Sequence, residues 1–317
     1  MNICITGALG HIGSSLIRNL SASSVNKIYL VDNMYKQRYC SLFDLPKKSH
    51  FIFYQIDILS PKMEKIIKDC QIVIHLAAIS DAESSMKEQK EVNRVNKKGL
   101  KYIVNLCAKY NCSIFFPSTT SVYGSSSKLV DETAKGKNLQ PQSPYAESKL
   151  YGERLLKLVS QKQGFRYVIL RFGTIFGYSI GMRFNTAVNK FGFQATSNQN
   201  ITVWKTAYDQ KRPYCDLIDC ISAINHVINS NLFDNQIYNI VTINVTVKDI
   251  VDAFKKYIPS VKISYVNSPI MNKLSYGASN AKSIKKGFVY KGSLDKSVKE
   301  YIKKLENINY KVDKKNL

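Results

Sequence analysis

Apolar residues in the first half of the chain come in short blocks, separated by longer stretches in which they return with a helical period. The blocks lie at residues 2–6, Lys27 to Val31, Phe51 to Ile56, Ile72 to Leu76 and Ser113 to Pro117. Runs this short predict strands, and the amphipathic stretch that ends at Leu20 predicts a helix. A longer helical pattern extends from about Ala82 to Tyr110. Strands alternating with helices argue for an α/β chain built on a doubly wound parallel sheet, with helices on both faces.

Composition narrows the class. At 317 residues and 44% hydrophobic content, the chain can bury a sizeable core as one large or two modest domains. Its seven cysteines (Cys4, Cys40, Cys70, Cys107, Cys112, Cys215, Cys220) are odd in number, form no Cys-x-x-Cys and lie mostly in apolar runs, which predicts reduced core thiols. Four scattered histidines offer no metal cluster. Met1 leads almost at once into Ile3-Cys4-Ile5, leaving no room for a signal peptide, and no apolar run approaches membrane-spanning length. The expectation is a soluble cytoplasmic protein without a membrane partner. A net charge of +23 would suit a phosphate backbone. The lysines are nevertheless spread along the whole chain, with no basic arm and no nucleic-acid module, so a solvated Lys-rich surface without a nucleic-acid partner is expected. Such a surface also attracts a small diphosphate. Residues 311–317 read as a frayed basic tail.

Candidate chemistry begins where the first strand ends. Thr6-Gly7-Ala8-Leu9-Gly10-His11-Ile12-Gly13 joins that strand to the first helix. Glycines let the backbone turn sharply and approach a pyrophosphate, whose charge then rests at the positive helix N-terminus. The spacing is Gly-x-x-Gly-x-x-Gly, which a plain strand-helix turn would also use. Asp32 shifts the balance, because it closes the second strand where an acidic residue receives the ribose hydroxyls of a bound adenosine. A carboxylate there repels a 2′-phosphate, so NAD is expected rather than NADP. Asp57-Ile58 are candidates for the adenine edge, and Ala77-Ala78 are small enough to let a cofactor pass over a strand end. Asn96 is placed to meet a strand backbone or the cofactor region. Ser118-Thr119-Thr120-Ser121-Val122-Tyr123-Gly124 follows a strand at its carboxyl end, where ligands of open α/β sheets gather.

The segment Ser143-Pro144-Tyr145-Ala146-Glu147-Ser148-Lys149 supplies an acid/base. If it opens a helix, Tyr145 and Lys149 share one face, and the ammonium favours the phenolate, bringing a pKa of ~10 toward working pH. Tyr310 and Lys314 share this spacing, so context selects Tyr145.

In order and spacing, Thr6 to Gly13, Asp32, His75-Leu76-Ala77-Ala78, Ser118 to Gly124 and Tyr145 to Lys149 resemble the extended short-chain dehydrogenase/reductase family, which includes sugar-nucleotide epimerases and dehydratases. The resemblance continues through Leu170-Arg171-Phe172 to Gly177, Lys211-Arg212-Pro213-Tyr214 to Asp219, and Tyr276 with Asn280 to Lys282. It implies a Rossmann-type NAD-binding domain over 1–175, with returns near 209–226 and 236–241, and a smaller mixed α/β C-terminal substrate region over 176–310. It also implies a homodimer packed through the helix around Asn96 to Ala108 and the helix following Tyr145.

Residue by residue, the resemblance implies Tyr145 as acid/base and Lys149 as the group that lowers its pKa and holds the nicotinamide ribose. Thr119 would hydrogen-bond the reacting hydroxyl or ketone. Cofactor contacts would come from Gly7, Gly10, His11, Ile12 and Gly13, from Asp32 and Asn33, and from Asp57 and Ile58. Leu76, Ala77, Ala78 and Asn96 would complete them. Arg212 would grip a nucleotide diphosphate by charge-assisted hydrogen bonds, helped by Asn185 or Asn189. Ser80, Thr120, Ser121, Thr174, Arg183 and Tyr276 would complete the substrate-binding set.

Family dehydratases place Asp-Glu, or at least Glu, just after the catalytic threonine. Here those positions are Thr120 and Ser121, neither a useful acid or base near neutral pH. A net reductase usually draws on NADPH, against which Asp32 argues. The expectation left is NAD-dependent epimerisation of a nucleotide-diphosphate sugar at C4, through a transient keto sugar. Dehydration or reduction within the family, and a non-catalytic NAD-binding role, are the alternatives; intact Thr119, Tyr145 and Lys149 weigh against the last. The chain departs from the family pattern with Pro269 and Asn272 in place of Arg-x-x-Asp, Lys273 being a substitute, and with Thr174 in place of an asparagine. Gly181 to Asn185 resembles a less well defined branch, and bulky Tyr276 leans against N-acetyl hexosamines.

Overall fold

The apolar blocks form strands β1 (Asn2–Thr6), β2 (Lys27–Asp32), β3 (His50–Gln55), β4 (Ile72–His75) and β5 (Ser113–Thr119). Helices α1 (His11–Asn19) and α2 (Lys62–Lys68) connect β1 to β2 and β3 to β4. The computed structural model describes residues 1–20, 25–47, 50–124, 129–267 and 275–307, the side chains of residues 82–84 apart. Pro269, Asn272, Lys273 and the tail at 311–317 lie outside the described residues.

The long helical pattern is not one helix. It divides into α3 (Ala82–Lys87), α4 (Gln89–Val92), a π-helical stretch (Asn93–Gly99) and α5 (Leu100–Lys109). Glu88, at φ −107° and ψ 34°, leaves helical geometry and breaks the run. In the wide turns that follow, Asn96 faces the end of β4, and Gly99 makes room for Ile58, whose Cδ1 lies 2.4 Å from where a Cβ would stand.

Beyond β5 come β6 (Leu129–Val130), α6 (Pro144–Gln163), β7 (Tyr167–Phe172), β8 (Thr174–Phe176) and α7 (Ala187–Thr196). Then follow β9 (Ile201–Trp204), β10 (Lys211–Asp216), α8 (Leu217–Asn229), β11 (Ile237–Ile240), β12 (Ile243–Thr246) and α9 (Val247–Lys255). The described chain closes with β13 (Ile263–Val266), β14 (Gly277–Ala278), α10 (Ala281–Lys285) and α11 (Leu294–Leu305).

Seven strands pair in parallel in the order β11-β7-β5-β4-β1-β2-β3. Side chains alternate across this sheet as the pleat requires: Ile3 and Ile5 pack with α1 and α8 on one face, and Cys4 packs with α2, α5 and α6 on the other. With helices on both faces, it is a Rossmann-type doubly wound sheet. Strand order reverses between β1 and β4, so a crevice forms at the carboxyl ends of these strands. A third apolar cluster joins α7, α9 and α11 through Phe191, Phe254, Val298 and Tyr301. Smaller sheets pair β12-β10-β8, β13-β9 and β14-β6. All seven cysteines are free, and only Cys40 is exposed.

Candidate active site

The glycine turn is shaped by close approach. Gly7 adopts φ +65°, and a Cβ on it would stand 2.6 Å from the backbone nitrogen of Ala77. A Cβ on Gly13 would lie 2.4 Å from the Ala8 carbonyl oxygen. Gly10 is the N-cap of α1 and brings no side-chain cap, so the amides of the first turn, Ile12 among them, keep the positive end of the helix dipole open among the described residues. A Cβ on Gly10 would come 3.7 Å from the Arg38 guanidinium. Narrow backbone, bare helix end and adjacent cation fit a dinucleotide pyrophosphate. Beside the turn, Asp32 accepts hydrogen bonds from the amides of Leu9 (3.2 Å) and Met34 (2.9 Å). Neighbouring Asn33 accepts one from the Tyr35 amide (3.1 Å).

On the far side of the crevice the Leu76 amide donates to Thr6 O (2.9 Å) and the Ala77 amide to Thr6 Oγ1 (3.3 Å), leaving Ala77 and Ala78 half-buried at the strand end. Asp57 accepts hydrogen bonds from Arg94 (3.0 Å) and the Leu59 amide (2.9 Å). Asn96 donates to Ile79 O (2.9 Å) and Ser148 Oγ (2.9 Å) and accepts from the Ile79 amide (2.8 Å), so its carboxamide ties β4's end to α6.

His11 Nε2 lies 2.8 Å from the Gly177 carbonyl, which can only accept, so this nitrogen carries the proton. Its buried Nδ1 has no partner among the described residues. Burial, with smaller contributions from the charges of Arg183 and Arg38, pushes the ring down to about 4 against the pull of that carbonyl. Ser179 Oγ donates to His11 O (2.9 Å) and the Gly181 amide to Ser14 Oγ (3.0 Å). The glycine turn and the 177–181 loop are therefore stitched together, and that loop carries Arg183.

Helix α6 starts where its sequence directs: Ser143 Oγ accepts from the Ala146 amide (3.2 Å) and Pro144 fills the first helical position. Tyr145 thus sits in the first turn, with Lys149 one turn on. Thr119, at the end of β5, lies beside the Tyr145 phenol, and its Oγ1 donates to Ser121 Oγ (3.2 Å). Lys149 Nζ lies 5.9 Å from the Tyr145 ring centroid and 4.7 Å from that of Phe116. Burial drives Lys149 down to about 7, against the Glu153 carboxylate.

The electrostatics correct one expectation. Lys149 was to lower the Tyr145 pKa, yet the net direction is upward, because burial of the phenol outweighs the opposing charge of Arg183 and the Thr119 hydroxyl. Arg183 is a cation whose charge opposes that burial. Its Nη1 donates to Ser80 O (3.1 Å) and Ser80 Oγ (2.7 Å), which carries the guanidinium across to the loop after β4. Burial lowers the Arg183 pKa, opposed by Tyr145 and Asp81.

Above the end of β5, the buried Tyr276 hydroxyl donates to Thr120 Oγ1 (3.3 Å). Arg212, half-buried, donates to Gln210 Oε1 (3.3 Å). Thr174 is half-buried opposite Tyr214 in the β8–β10 register. Asn185 is exposed. Asn189, expected at the substrate, is instead fully buried. Its Oδ1 accepts from the Gly177 amide (3.2 Å) and the Tyr301 hydroxyl, and its Nδ2 donates to Arg183 O (2.9 Å). Its carboxamide braces the Arg183 loop from behind. Sequence reasoning gave no role to Arg38 or Glu153, and quoted His75 and Arg171 only as part of the family pattern. The buried pair of Glu153 and Arg171 had a legible signal: Glu153 repeats the Tyr145-Lys149 spacing, and Arg171 interrupts an apolar strand.

Among the described residues no group of histidine, cysteine or carboxylate side chains could hold a metal ion, and no helix is long and apolar enough to cross a membrane. The model of the NAD dependent epimerase/dehydratase family matches residues 3–241. An uncharacterized UDP-glucose epimerase of Bacillus subtilis is 28% identical over 72% of this chain and 72% of its own length. A dTDP-D-glucose 4,6-dehydratase of Dictyostelium discoideum is 30% identical over 76% of this chain and 58% of its own length. Among solved structures, UDP-glucuronic acid 4-epimerase from Bacillus cereus, in complex with UDP-glucuronic acid and NAD, matches 96% of this chain and 100% of its own at 25% identity, with a TM-score of 0.86. UDP-glucose 4-epimerase of Thermus thermophilus, at 21% identity and a TM-score of 0.83, shares the fold.

Proposed function

Because the chain belongs to the NAD dependent epimerase/dehydratase family, we propose that it inverts C4 of a nucleotide-diphosphate sugar through a transient 4-keto sugar. The observation that carries this reading is the end of β5. Thr119 Oγ1 donates to Ser121 Oγ (3.2 Å), and the next two residues, Thr120 and Ser121, offer hydroxyls, the first engaged by Tyr276, where a dehydratase needs carboxyl groups.

The cofactor is NAD, which when bound accepts a hydride from the sugar carbon, returns it, and contributes the positive charge of its oxidised pyridinium. Gly7, Gly10, Gly13 and the first turn of α1 would hold its pyrophosphate, Asp32 its adenosine ribose, and Lys149 its nicotinamide ribose. Tyr145 Oη takes the proton of the sugar hydroxyl and gives it back after inversion, while Thr119 orients the reacting oxygen. Arg183, half-buried beside Tyr145, favours a sugar with negative charge near the reacting carbon, and the relative crystallised with UDP-glucuronic acid supports including that sugar. Arg212 would hold the diphosphate. In this reading residues 1–175, with 209–226 and 236–241, form the NAD lobe, 176–310 supply the substrate region, and two copies pair through the helices around Asn96 to Ala108 and after Tyr145.

The test is conversion of UDP-, dTDP-, GDP- and CDP-sugars, UDP-glucuronic acid and UDP-glucose included, by purified protein with NAD, followed by chromatography of the products. Interconversion of C4 epimers is expected, with a loss of about a thousand-fold in Tyr145→Phe. Release of a dehydrated keto sugar, or no conversion of any member, refutes the reading.

A further inference from the structure

Behind the reacting centre lies an ion pair that the proposed chemistry leaves unused. The side chains of Arg171 and Glu153 are only 2% and 4% exposed. Arg171 Nε donates to Glu153 Oε1 (2.9 Å) and Arg171 Nη2 to Glu153 Oε2 (2.6 Å). Ser118 Oγ donates to the same Oε1 (2.5 Å). Glu153 is therefore bonded to the residue just before Thr119, and it occupies the α6 face of Tyr145 and Lys149, one turn beyond the lysine. The Arg171 guanidinium stacks 4.8 Å from the Tyr123 ring, whose hydroxyl donates to Asn239 Oδ1 (2.8 Å).

Stability does not account for this pair. Exchanging a buried ion pair for apolar side chains is often neutral or stabilising, because desolvation offsets the attraction. Here the desolvation is incomplete in its return, since Arg171 Nη1 has no partner among the described residues. What the pair does have is contact with the strand end and the helix that together carry Thr119, Tyr145 and Lys149.

We propose that Glu153 is a positioning residue for the reaction, its carboxylate fixing the Ser118–Thr119 strand end against α6 and keeping Lys149 cationic. This rests on the roles given above to Thr119, Tyr145 and Lys149. The groups facing Lys149 are Tyr145 and Glu153 on its own helix, Phe116 on β5 and His75 on β4. Phe116 offers a ring face. His75, 2.9 Å from Thr6 Oγ1 through Nδ1, is held neutral, pushed down to about 3 by burial and then by the lysine's charge. Burial raises the Tyr145 phenol's pKa, so it opposes the Lys149 charge less than a carboxylate would. Glu153 is the anion of the set, and without it the Lys149 ammonium loses the group that opposes its desolvation.

Glu153→Gln keeps the size and the acceptor for Ser118 while removing the charge. With NAD and a UDP-sugar that the wild type converts, the alkaline limb of kcat should move down by about one pH unit, so that activity falls about ten-fold at pH 8 and little at pH 6, with KM within about two-fold. Because this variant leaves Arg171 as an unpaired buried charge, Glu153→Gln/Arg171→Gln is its companion; it relieves that charge and should keep the shifted limb. An unmoved limb, or the same loss at every pH in both variants, overturns the proposal. If the wild type converts no sugar, the functional reading fails separately. NMR titration of 13Cε-labelled lysine, with Lys149 assigned through Lys149→Arg, then decides: a lower midpoint in Glu153→Gln upholds the proposal, and an unchanged one overturns it.

Discussion

Lys149 should hold the protein below its attainable stability. Burial takes its ammonium from 10.5 to about 7. That gap of roughly 3.5 pH units corresponds to about 5 kcal/mol at ~1.4 kcal/mol per unit. The folded value lies below the unfolded one, so between about pH 7 and 10.5 the unfolded chain binds the extra proton and stability rises with pH. The penalty is complete below pH 7 and gone above 10.5. Lys149→Met removes the ammonium and leaves an unbranched stem over Phe116. Relaxation and water penetration reduce such penalties, so the expected gain is about 2–4 kcal/mol at pH 6–7, shrinking to about 1 kcal/mol or less by pH 10. At ~1.5 °C per kcal/mol for a chain of this length, the melting midpoint rises by about 3–6 °C. Thermal and urea unfolding of wild type, Lys149→Met and Lys149→Arg at pH 6, 8 and 10 provide the assay. Arginine keeps the charge and should gain nothing. Equal midpoints for wild type and Lys149→Met at pH 6, or a gain undiminished at pH 10, would refute the reasoning.

Two further substitutions probe the frame around the site. Gly7→Ala puts a methyl 2.6 Å from the Ala77 nitrogen at a φ of +65°; it should lower stability by about 2–3 kcal/mol and abolish NAD retention, read by absorbance of the purified protein and by NADH fluorescence titration. Tyr301→Phe takes one donor from Asn189 Oδ1 while the Gly177 amide remains. It should cost about 1 kcal/mol in urea unfolding and, by loosening the Arg183 loop, raise the sugar KM more than it lowers kcat; an unchanged KM would remove Asn189 from that role.

How far the sequence could be read depends on the range over which each feature is decided. Strands β1, β2, β4 and β5 are legible because they are buried on both faces, so each is a continuous apolar block, and β3, half-buried at the sheet edge, still carries four apolar residues in a row. The start of α6 is legible because Ser143 and Pro144 act within one turn, and they alone place Tyr145 and Lys149 on a shared face. The break in the Ala82 to Tyr110 pattern is not, since Glu88 leaves helical geometry without interrupting the apolar period, and the wide turns beyond it are held by Asn96 bonding Ile79 and Ser148 from other elements. Asn189 shows the same limit: its turn toward the core is decided by Gly177, Arg183 and Tyr301, the last 112 positions away. The charge beside the phenol follows from this. Helical spacing nominates Lys149 as the cation that activates Tyr145, but spacing carries no information on burial, and burial brings Lys149 down to about 7. Arg183, delivered by a loop that His11, Ser14 and Asn189 pin in place, brings its guanidinium charge to bear on the phenol through space. A local motif thus nominates the acid/base, whereas its proton affinity is set by groups that only the tertiary fold brings near it.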